Sequence, residues 1–283
     1  MEIIVQATEM QQRSEQYRRE GMTIAFVPTM GYLHNGHLSL MREGRKRGEV
    51  LVISIFVNPT QFGPGEDYDR YPRDMKRDLK LVQEVGVDIC FTPSTREMYP
   101  DGFQTAVEVQ QVTKNLCGIS RPHHFRGVTT VVAKLFNIVK PHLAFFGQKD
   151  YQQLIAIKRM IKDLNMDIEV IGLPTIREVD GLAMSSRNAY LSPKQRKEAL
   201  SLYRALVKAE ELFGRGERNA AMLLREIRGT IEEEGNSVKI DYAKICDADT
   251  LEDIEEIKAK AIIALAVSIG KTRLIDNIIL KEE

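Results

Sequence analysis

The sequence predicts an α/β protein: a Rossmann-like doubly wound parallel sheet followed by a second, smaller α+β domain. Three observations carry that prediction. Through the first 175 residues, apolar strand-like runs alternate regularly with stretches of helical period. One of those runs, Val50-Leu51-Val52-Ile53-Ser54-Ile55-Phe56-Val57, is apolar almost throughout, as in a strand covered on both faces. The last hundred residues then change character, giving helix-like stretches first and β-rich ones after them. The expected domains are residues 1–176 and 177–283.

Taken in order, Thr23-Ile24-Ala25-Phe26-Val27 is the first strand and the run from Val50 the second. Residues 74–85 carry Met75, Leu79, Val82 and Val85 at a helical period. Residues 88–92 and 142–146 read as short strands, with a buried helix over 128–139 stopped ahead of Pro141. A helix over 151–164 and a strand over 168–171 complete the alternation. Ser192-Pro193-Lys194-Gln195 is a capping box with proline at the first helical position. Its helix runs to about residue 213, through Gly214-Arg215-Gly216 to a second helix ending near 234. Residues 239–246, 261–268 and 272–280 are β-rich, the last two joined at Ile269-Gly270-Lys271 as a hairpin.

Composition narrows the function classes. Forty basic and forty acidic residues cancel in 283, leaving no electrostatic footprint for nucleic acid or an anionic membrane. The first twenty residues are polar and charged, without a signal-peptide core, and no run approaches eighteen apolar residues. Cys90, Cys117 and Cys246 are far apart and lack Cys-x-x-Cys pairing, so buried thiols in a reducing cytoplasm are expected. The expected partners are therefore small molecules, with no nucleic acid and no membrane, in a cytoplasmic protein.

The chemistry concentrates after the first strand, where Pro28-Thr29-Met30-Gly31-Tyr32-Leu33-His34-Asn35-Gly36-His37 runs into a helix. A strand, a glycine turn and a helix N-terminus make a phosphate site, because backbone N–H groups there lack helical partners and the helix dipole favours an anion. Gly31 and Gly36 permit the sharp turn, and His34 and His37, three apart, share one helical face. Two other readings remain: a His-x-x-His metal pair, for which no third ligand lies nearby, and a structural turn with incidental histidines. A P-loop is excluded, since no Gly-Lys-Ser/Thr comes after the turn, and the Gly-x-Gly-x-x-Gly fingerprint is absent from it. Parallel sheets bind ligands at the carboxyl ends of their strands, so Asn58-Pro59-Thr60-Gln61-Phe62-Gly63 and Gly147-Gln148-Lys149-Asp150 are expected on the same edge. Lys149 can neutralise phosphate, and Asp150 can hold a ribose hydroxyl or a Mg²⁺ shell. Ser185, Ser186 and Arg187 offer hydroxyls and a fixed cation in the loop over 177–188. Gln61 and Gln153 can hold a hydroxyl or carboxyl group without a permanent charge.

These blocks, together with Tyr99-Pro100-Asp101-Gly102, Tyr151-Gln152-Gln153 and Asp180-Gly181-Leu182-Ala183-Met184-Ser185-Ser186-Arg187-Asn188, resemble the pantothenate synthetase (pantoate–β-alanine ligase) family. The resemblance runs in order from about residue 20 to 195; the C-terminal part fits by length and position. Position 148 is Gln where many relatives carry Glu, which suggests a backbone role there. The resemblance implies ATP activation of (R)-pantoate to pantoyl adenylate, followed by attack of β-alanine to give pantothenate, with Mg²⁺ as cofactor and a homodimer as the assembly. It implies that Met30, Gly31, Tyr32, Leu33, His34, Asn35, Gly36 and His37 hold ATP, with His37 as proton donor. Gly147, Gln148, Lys149, Asp150, Ile176, Met184, Ser185, Ser186 and Arg187 complete that site, and the smaller domain, residues 177–283, closes over it. Gln61 and Gln153 match the pantoate-binding glutamines, with Gln61 also near β-alanine. His34, His37, Lys149 and Arg187 form the catalytic set, and no metal ligands are assigned. The alternatives are a nucleotidyltransferase that releases its nucleotidyl product and a non-catalytic nucleotide-binding module; a tRNA synthetase is disfavoured by the neutral charge.

Overall fold

The computed structural model describes residues 1–234 and 237–282. The chain divides into two compact units, each assembled from separate stretches. Unit 1 comprises Met1–Gln110, Arg121–Gln148 and Gln153–Pro174; unit 2 comprises Gln111–Ser120, Lys149–Gln152 and Thr175–Glu283. Two short segments, 111–120 and 149–152, therefore group with the C-terminal part of the chain rather than with their sequence neighbours.

Along the first stretch the strands are β1 (Glu2–Ile4), β2 (Ile24–Thr29), β3 (Val50–Ile55), β4 (Ile89–Phe91), β5 (Leu143–Gly147) and β6 (Glu169–Leu173). The helices are α1 (Ala7–Arg19), α2 (Asn35–Arg47), α3 (Met75–Val85), α4 (Thr95–Met98), α5 (Cys117–Ser120), α6 (His124–Val139) and α7 (Tyr151–Asp163). All six strands pair in parallel in the order β1-β4-β3-β2-β5-β6. The alternation of side chains gives the sheet two apolar faces. Ala25, Val27, Leu51, Ile53 and Phe145 pack with Leu38, Met41 and Val82 of α2 and α3. On the other face Phe26 and Phe146 each meet the Phe136 ring of α6 edge-on at 6.4 Å.

Two elements lie where the sequence offers little signal. β1 is a three-residue edge strand, too short to show a period, and α1 buries only Met10 and Ser14 along a polar helix. α6 begins four residues ahead of the expected start, because Phe125 and Gly127 are already buried. It ends on Lys140 in the left-handed region, just before Pro141.

In unit 2, α8 (Pro193–Glu198), α9 (Leu200–Gly214) and α10 (Ala220–Glu232) precede β7 (Val238–Asp247), β8 (Ala261–Ile269) and β9 (Thr272–Leu280). The Ser192 capping box forms as expected, but the single helix expected after it divides at Ala199. The three strands form an antiparallel sheet in the order β7-β8-β9, with Gly270 at φ +58° in the two-residue β8–β9 turn. Ala243, Ile245, Ile263, Leu265, Val267 and Leu274 face Leu202, Leu206, Leu223 and Ile227 of the helices. Register sends Cys246, Ile262, Ala264, Ala266 and Asn277 to the opposite face. There Asn115 donates through Nδ2 to Leu251 O at 2.9 Å and to Asp253 at 2.7 Å, and Ser120 reaches Asp241 at 3.2 Å. Those bonds explain why 111–120 belongs to this unit. Cys90, Cys117 and Cys246 are buried thiols that form no disulfide with one another. Among the described residues no helix is long and apolar enough to cross a membrane.

Candidate functional site

In unit 1 the strand order reverses between β2 and β5: the chain winds outward through β3 and β4, then returns to add β5 and β6 on the other side. Ligands of open parallel sheets bind outside the carboxyl ends of the strands at such a switch point. The turn Met30–His37 extends directly from β2, and Gly147 and Gln148 stand at the end of β5.

The turn is held from inside the protein. Gly31 has φ +80°, and a Cβ there would meet Ile55 Cγ2 at 3.0 Å and Asp78 Oδ2 at 3.1 Å. Asp78, on α3 and 1% exposed, accepts the N–H groups of Tyr32 at 2.6 Å and Leu33 at 2.8 Å. Burial pushes its carboxyl above the usual aspartate range, and the two amides and Arg77 pull against that rise. Arg77 donates to Leu33 O at 2.9 Å and lies 5.2 Å over the Tyr32 ring. Tyr32 itself is left-handed at φ +48°, a conformation that these contacts overdetermine.

This wiring corrects one premise. The sequence suggests open backbone amides at the helix start, but most are engaged. Gly31 N–H donates to Thr29 Oγ1 at 3.2 Å, those of Tyr32 and Leu33 go to Asp78, and Gly36 N–H goes to His34 Nδ1 at 3.1 Å. His34 N–H donates to His37 Nδ1 at 3.3 Å. His34 is thus the N-cap of α2 rather than a helical residue, and the pair forms a reciprocal capping box with histidines in both roles. The rings lie 4.1 Å apart and tilted by 37°. Because each Nδ1 accepts, each ring carries its hydrogen on Nε2. Leu33 is fully buried in the core, so its side chain is a packing residue.

The turn after β3 joins the first. Asn58, 1% exposed, caps the single 3₁₀ turn Pro59–Gln61. Its Oδ1 accepts from the Tyr99 hydroxyl at 2.7 Å and from Thr60 Oγ1 at 2.9 Å, while its Nδ2 donates to Gln61 Oε1 at 3.1 Å and Gly127 O at 3.2 Å. That network fixes which end of the Gln61 amide is which. Nε2 becomes the donating end, directed at Met30 Sδ at 3.0 Å. Gly127 lets α6 approach this turn, since a Cβ there would collide with the Thr60 carbonyl. Arg121 forks onto Glu66 at 2.6 and 2.5 Å and donates to Gln61 O at 3.1 Å. Gln153 lies half-buried near the start of α7.

Unit 2 carries Lys149, Asp150, Ile176, Met184, Ser185, Ser186 and Arg187. Lys149 and Asp150 end the 3₁₀ turn Gln148–Asp150, and Asn277 Nδ2 donates to Lys149 O at 2.8 Å. Residues 176–188 fold back on themselves: Met184 N–H donates to Ile176 O at 3.0 Å and Glu178 N–H to Leu182 O at 2.8 Å. Arg177 forks onto Asp276, 2% exposed, at 2.6 and 3.0 Å, donates to Gly181 O at 3.1 Å and stacks 4.8 Å over the Tyr203 ring. Ser185 caps the 3₁₀ helix Ser186–Tyr190 by accepting from Arg187 N–H at 3.3 Å. Gln148, in unit 1, donates weakly through Nε2 to Gly172 O at 3.4 Å.

Within unit 1, then, Met30 to His37 and Gln61 come together; within unit 2, Lys149 and the 176–187 segment hang from one strand. Asp78, Asn58, Tyr99, Asp276 and Asn277 were not singled out in sequence, and only Asn58 and Tyr99 stood inside its motifs. Among the described residues, no group of three or more His, Cys, Asp or Glu side chains is placed to hold a metal ion.

A parallel sheet with a glycine turn and capped helix at its switch point defines a Rossmann-like α/β protein, a class whose ligands bind at such points. The family model described as pantoate–β-alanine ligase matches residues 2–279, and the chain belongs to that family of ligases. It is 59% identical to pantothenate synthetase of Syntrophus aciditrophicus (strain SB) over 283 residues, covering 100% of this chain and 99% of that protein. The pantothenate synthetase of Geobacter sulfurreducens is likewise 59% identical, with 100% of both chains covered. Among solved structures, pantothenate synthetase from Thermus thermophilus superposes with a TM-score of 0.93 at 46% identity, covering 98% of this chain and 99% of that one. Pantoate–β-alanine ligase from Francisella tularensis, solved with β,γ ATP and β-alanine, gives 0.80 at 35% identity, covering 98% and 97%.

Proposed function

We propose that this protein condenses (R)-pantoate with β-alanine at the expense of ATP, giving pantothenate, AMP and pyrophosphate through a pantoyl adenylate. The observation that carries the reading is the histidine capping box, which fixes both rings in a preorganised turn through Nδ1 and leaves Nε2 as the hydrogen-bearing nitrogen of each. The family match and the Francisella relative bound to ATP and β-alanine support it.

In the first step the pantoate carboxylate attacks the α-phosphate and pyrophosphate leaves. Bringing two anions to 4 Å costs about 4 kcal/mol per charge pair at an effective dielectric near 20. His34 and His37 answer part of that by hydrogen bonding, while Lys149 and Arg187 supply positive charge. Such preorganised donors contribute about 3–4 kcal/mol each to the step, and holding the reactants adjacent contributes about 7–11 kcal/mol. Since both Nδ1 atoms accept from backbone, His37 acts as a clamp whose Nε2–H donates a hydrogen bond. In the second step the β-alanine amine attacks the acyl carbon, AMP departs with the bridging oxygen, and the amine loses a proton.

ATP contacts are assigned to Met30–His37, Gly147–Asp150, Ile176 and Met184–Arg187, with the wired amides of Tyr32 and Leu33 shaping the turn. Gln61 and Gln153 take pantoate, Gln61 donating through Nε2 to a carboxyl or hydroxyl oxygen. Mg²⁺ fits as a companion of the triphosphate, since this cation usually relies on substrate phosphates plus one or two carboxylates; Asp150 is the carboxylate of that turn. Magnesium supplies charge neutralisation on the phosphates when bound. The proposed setting is a cytoplasmic homodimer. The loop holding Ser185, Ser186 and Arg187 closes over the nucleotide, so its cleavage by protease slows when ATP is added.

The decisive experiment incubates the protein with ATP, Mg²⁺, pantoate and a panel of amines and identifies products by mass. The expected products are AMP, pyrophosphate and the β-alanine amide, with pantoyl adenylate trapped when the amine is omitted. Pyrophosphate release at full turnover without any amine overturns the ligase reaction in favour of a released nucleotidyl product.

A further inference from the structure

Asp276 and Asn277 take no part in the chemistry above, yet both candidate nucleotide segments of unit 2 depend on them. Successive strand residues face opposite ways, so one strand can hold two different partners on its two sides. Asp276 lies on the helix-packed face of β9 and takes the Arg177 fork at 2.6 and 3.0 Å. Arg177 is the spine of the 176–188 loop, bonded to Gly181 O and paired across the loop with Ala183. Asn277 lies on the other face and donates from Nδ2 to Lys149 O at 2.8 Å. That bond fixes the Lys149 backbone and uses none of the ammonium's three donors. The two residues are also locked to each other, because Asn277 N–H donates to Asp276 Oδ1 at 2.8 Å. Both are buried, in a strand paired with β8 along its whole length. Groups carried on a paired strand are held more precisely than groups carried on loops alone.

We propose that the Asp276–Asn277 pair is a positioning device that sets the Lys149 turn and the Arg187 loop at one spacing, so that ammonium and guanidinium meet the triphosphate as a preassembled pair. The inference rests on the assignment of Lys149 and Arg187 to ATP. Asn277 is the sharper member to test, because its side chain holds the Lys149 turn through the Nδ2–carbonyl hydrogen bond and reaches no substrate in this assignment.

The experiment measures ATP-dependent adenylation of pantoate in Asn277→Ala, Lys149→Ala and the double variant of the intact protein. Asn277→Ala is expected to lower kcat/KM for ATP about tenfold, the size of one lost hydrogen bond, with the KM for β-alanine unchanged. In the double variant it adds nothing to the Lys149→Ala loss, because it acts through that turn. Asn277→Ser keeps a polar strand residue that cannot span to the carbonyl, and gives the same result where alanine fails to fold. Wild-type ATP kinetics in a folded Asn277 variant, or a loss that multiplies fully with Lys149→Ala, overturns the proposal. Wild-type kinetics in Lys149→Ala alone rejects the ATP assignment on which it rests.

Discussion

The turn from Met30 to His37 fixes its two imidazoles with bonds that span two or three residues, whereas the Lys149 turn is fixed by Asn277 across 128 residues and the Arg177 spine by Asp276 across 99. The first arrangement is a local cap buttressed remotely by Asp78 and Arg77 of α3. The second is a strand reaching back to segments far earlier in the chain. The local kind is legible in a motif and resists change elsewhere. The remote kind is invisible in a motif and fails when its distant anchor is altered.

Four outcomes break or sharpen that contrast, the largest first. His37→Ala and Lys149→Ala are each expected to slow adenylation about 100-fold or more with little loss of stability. Stopped-flow pyrophosphate release measures both, and a normal rate in either removes that half of the site. Gly181→Ala attacks the remote scaffold directly: at φ +95° an added Cβ would stand inside the Tyr203 ring. The expected cost is about 2–3 kcal/mol in chemical denaturation, together with weaker ATP use and unchanged exchange protection of the Met30–His37 turn. Tyr99→Phe removes the hydroxyl that orients Asn58 and, through it, the Gln61 amide. Steady-state kinetics should show the pantoate KM rising about threefold to tenfold while the ATP KM holds; an unchanged pantoate KM refutes the amide assignment.

The smallest effect is on pH. Burial alone pushes the Glu66 carboxyl up, and the Arg121 guanidinium more than reverses it, leaving Glu66 below its ordinary value of 4.5. A depressed native value means the unfolded chain binds the proton more tightly, so this contribution is present above pH 4.5 and is lost as pH falls below it. Denaturation of wild type and Glu66→Gln at pH 6 and again in acid should show their difference shrinking in acid. A constant difference removes the ion pair from the account.

Much of this was readable from residue order. β2, β3 and β5 announced themselves as apolar runs, α3 by its period and α8 by a capping box. The phosphate-site reading needed only a strand, Gly31 and two histidines. The features that stayed hidden have physical reasons. A three-residue edge strand such as β1 shows no period, and α1 turns only Met10 and Ser14 fully inward. Asp78 looks like any charge on an amphipathic helix, although it is 45 residues from the Leu33 amide it holds. Asp276 and Asn277 sit in a strand whose pattern says only that it is half apolar. The engagement of the turn's amides was likewise unreadable, because those of Tyr32 and Leu33 go to the distant Asp78 and histidine is not a usual capping residue for the others.

The three cysteines have a practical consequence. Burial pushes the thiols of Cys90 and Cys246 up to about 12, which keeps both protonated and unreactive near pH 7. Cys117 is shielded as well. A single engineered surface thiol on each unit can therefore be coupled to a fluorophore without first deleting native sulfur. A donor–acceptor pair placed that way turns the protein into its own ruler, reporting the separation of its two parts as nucleotide is titrated in.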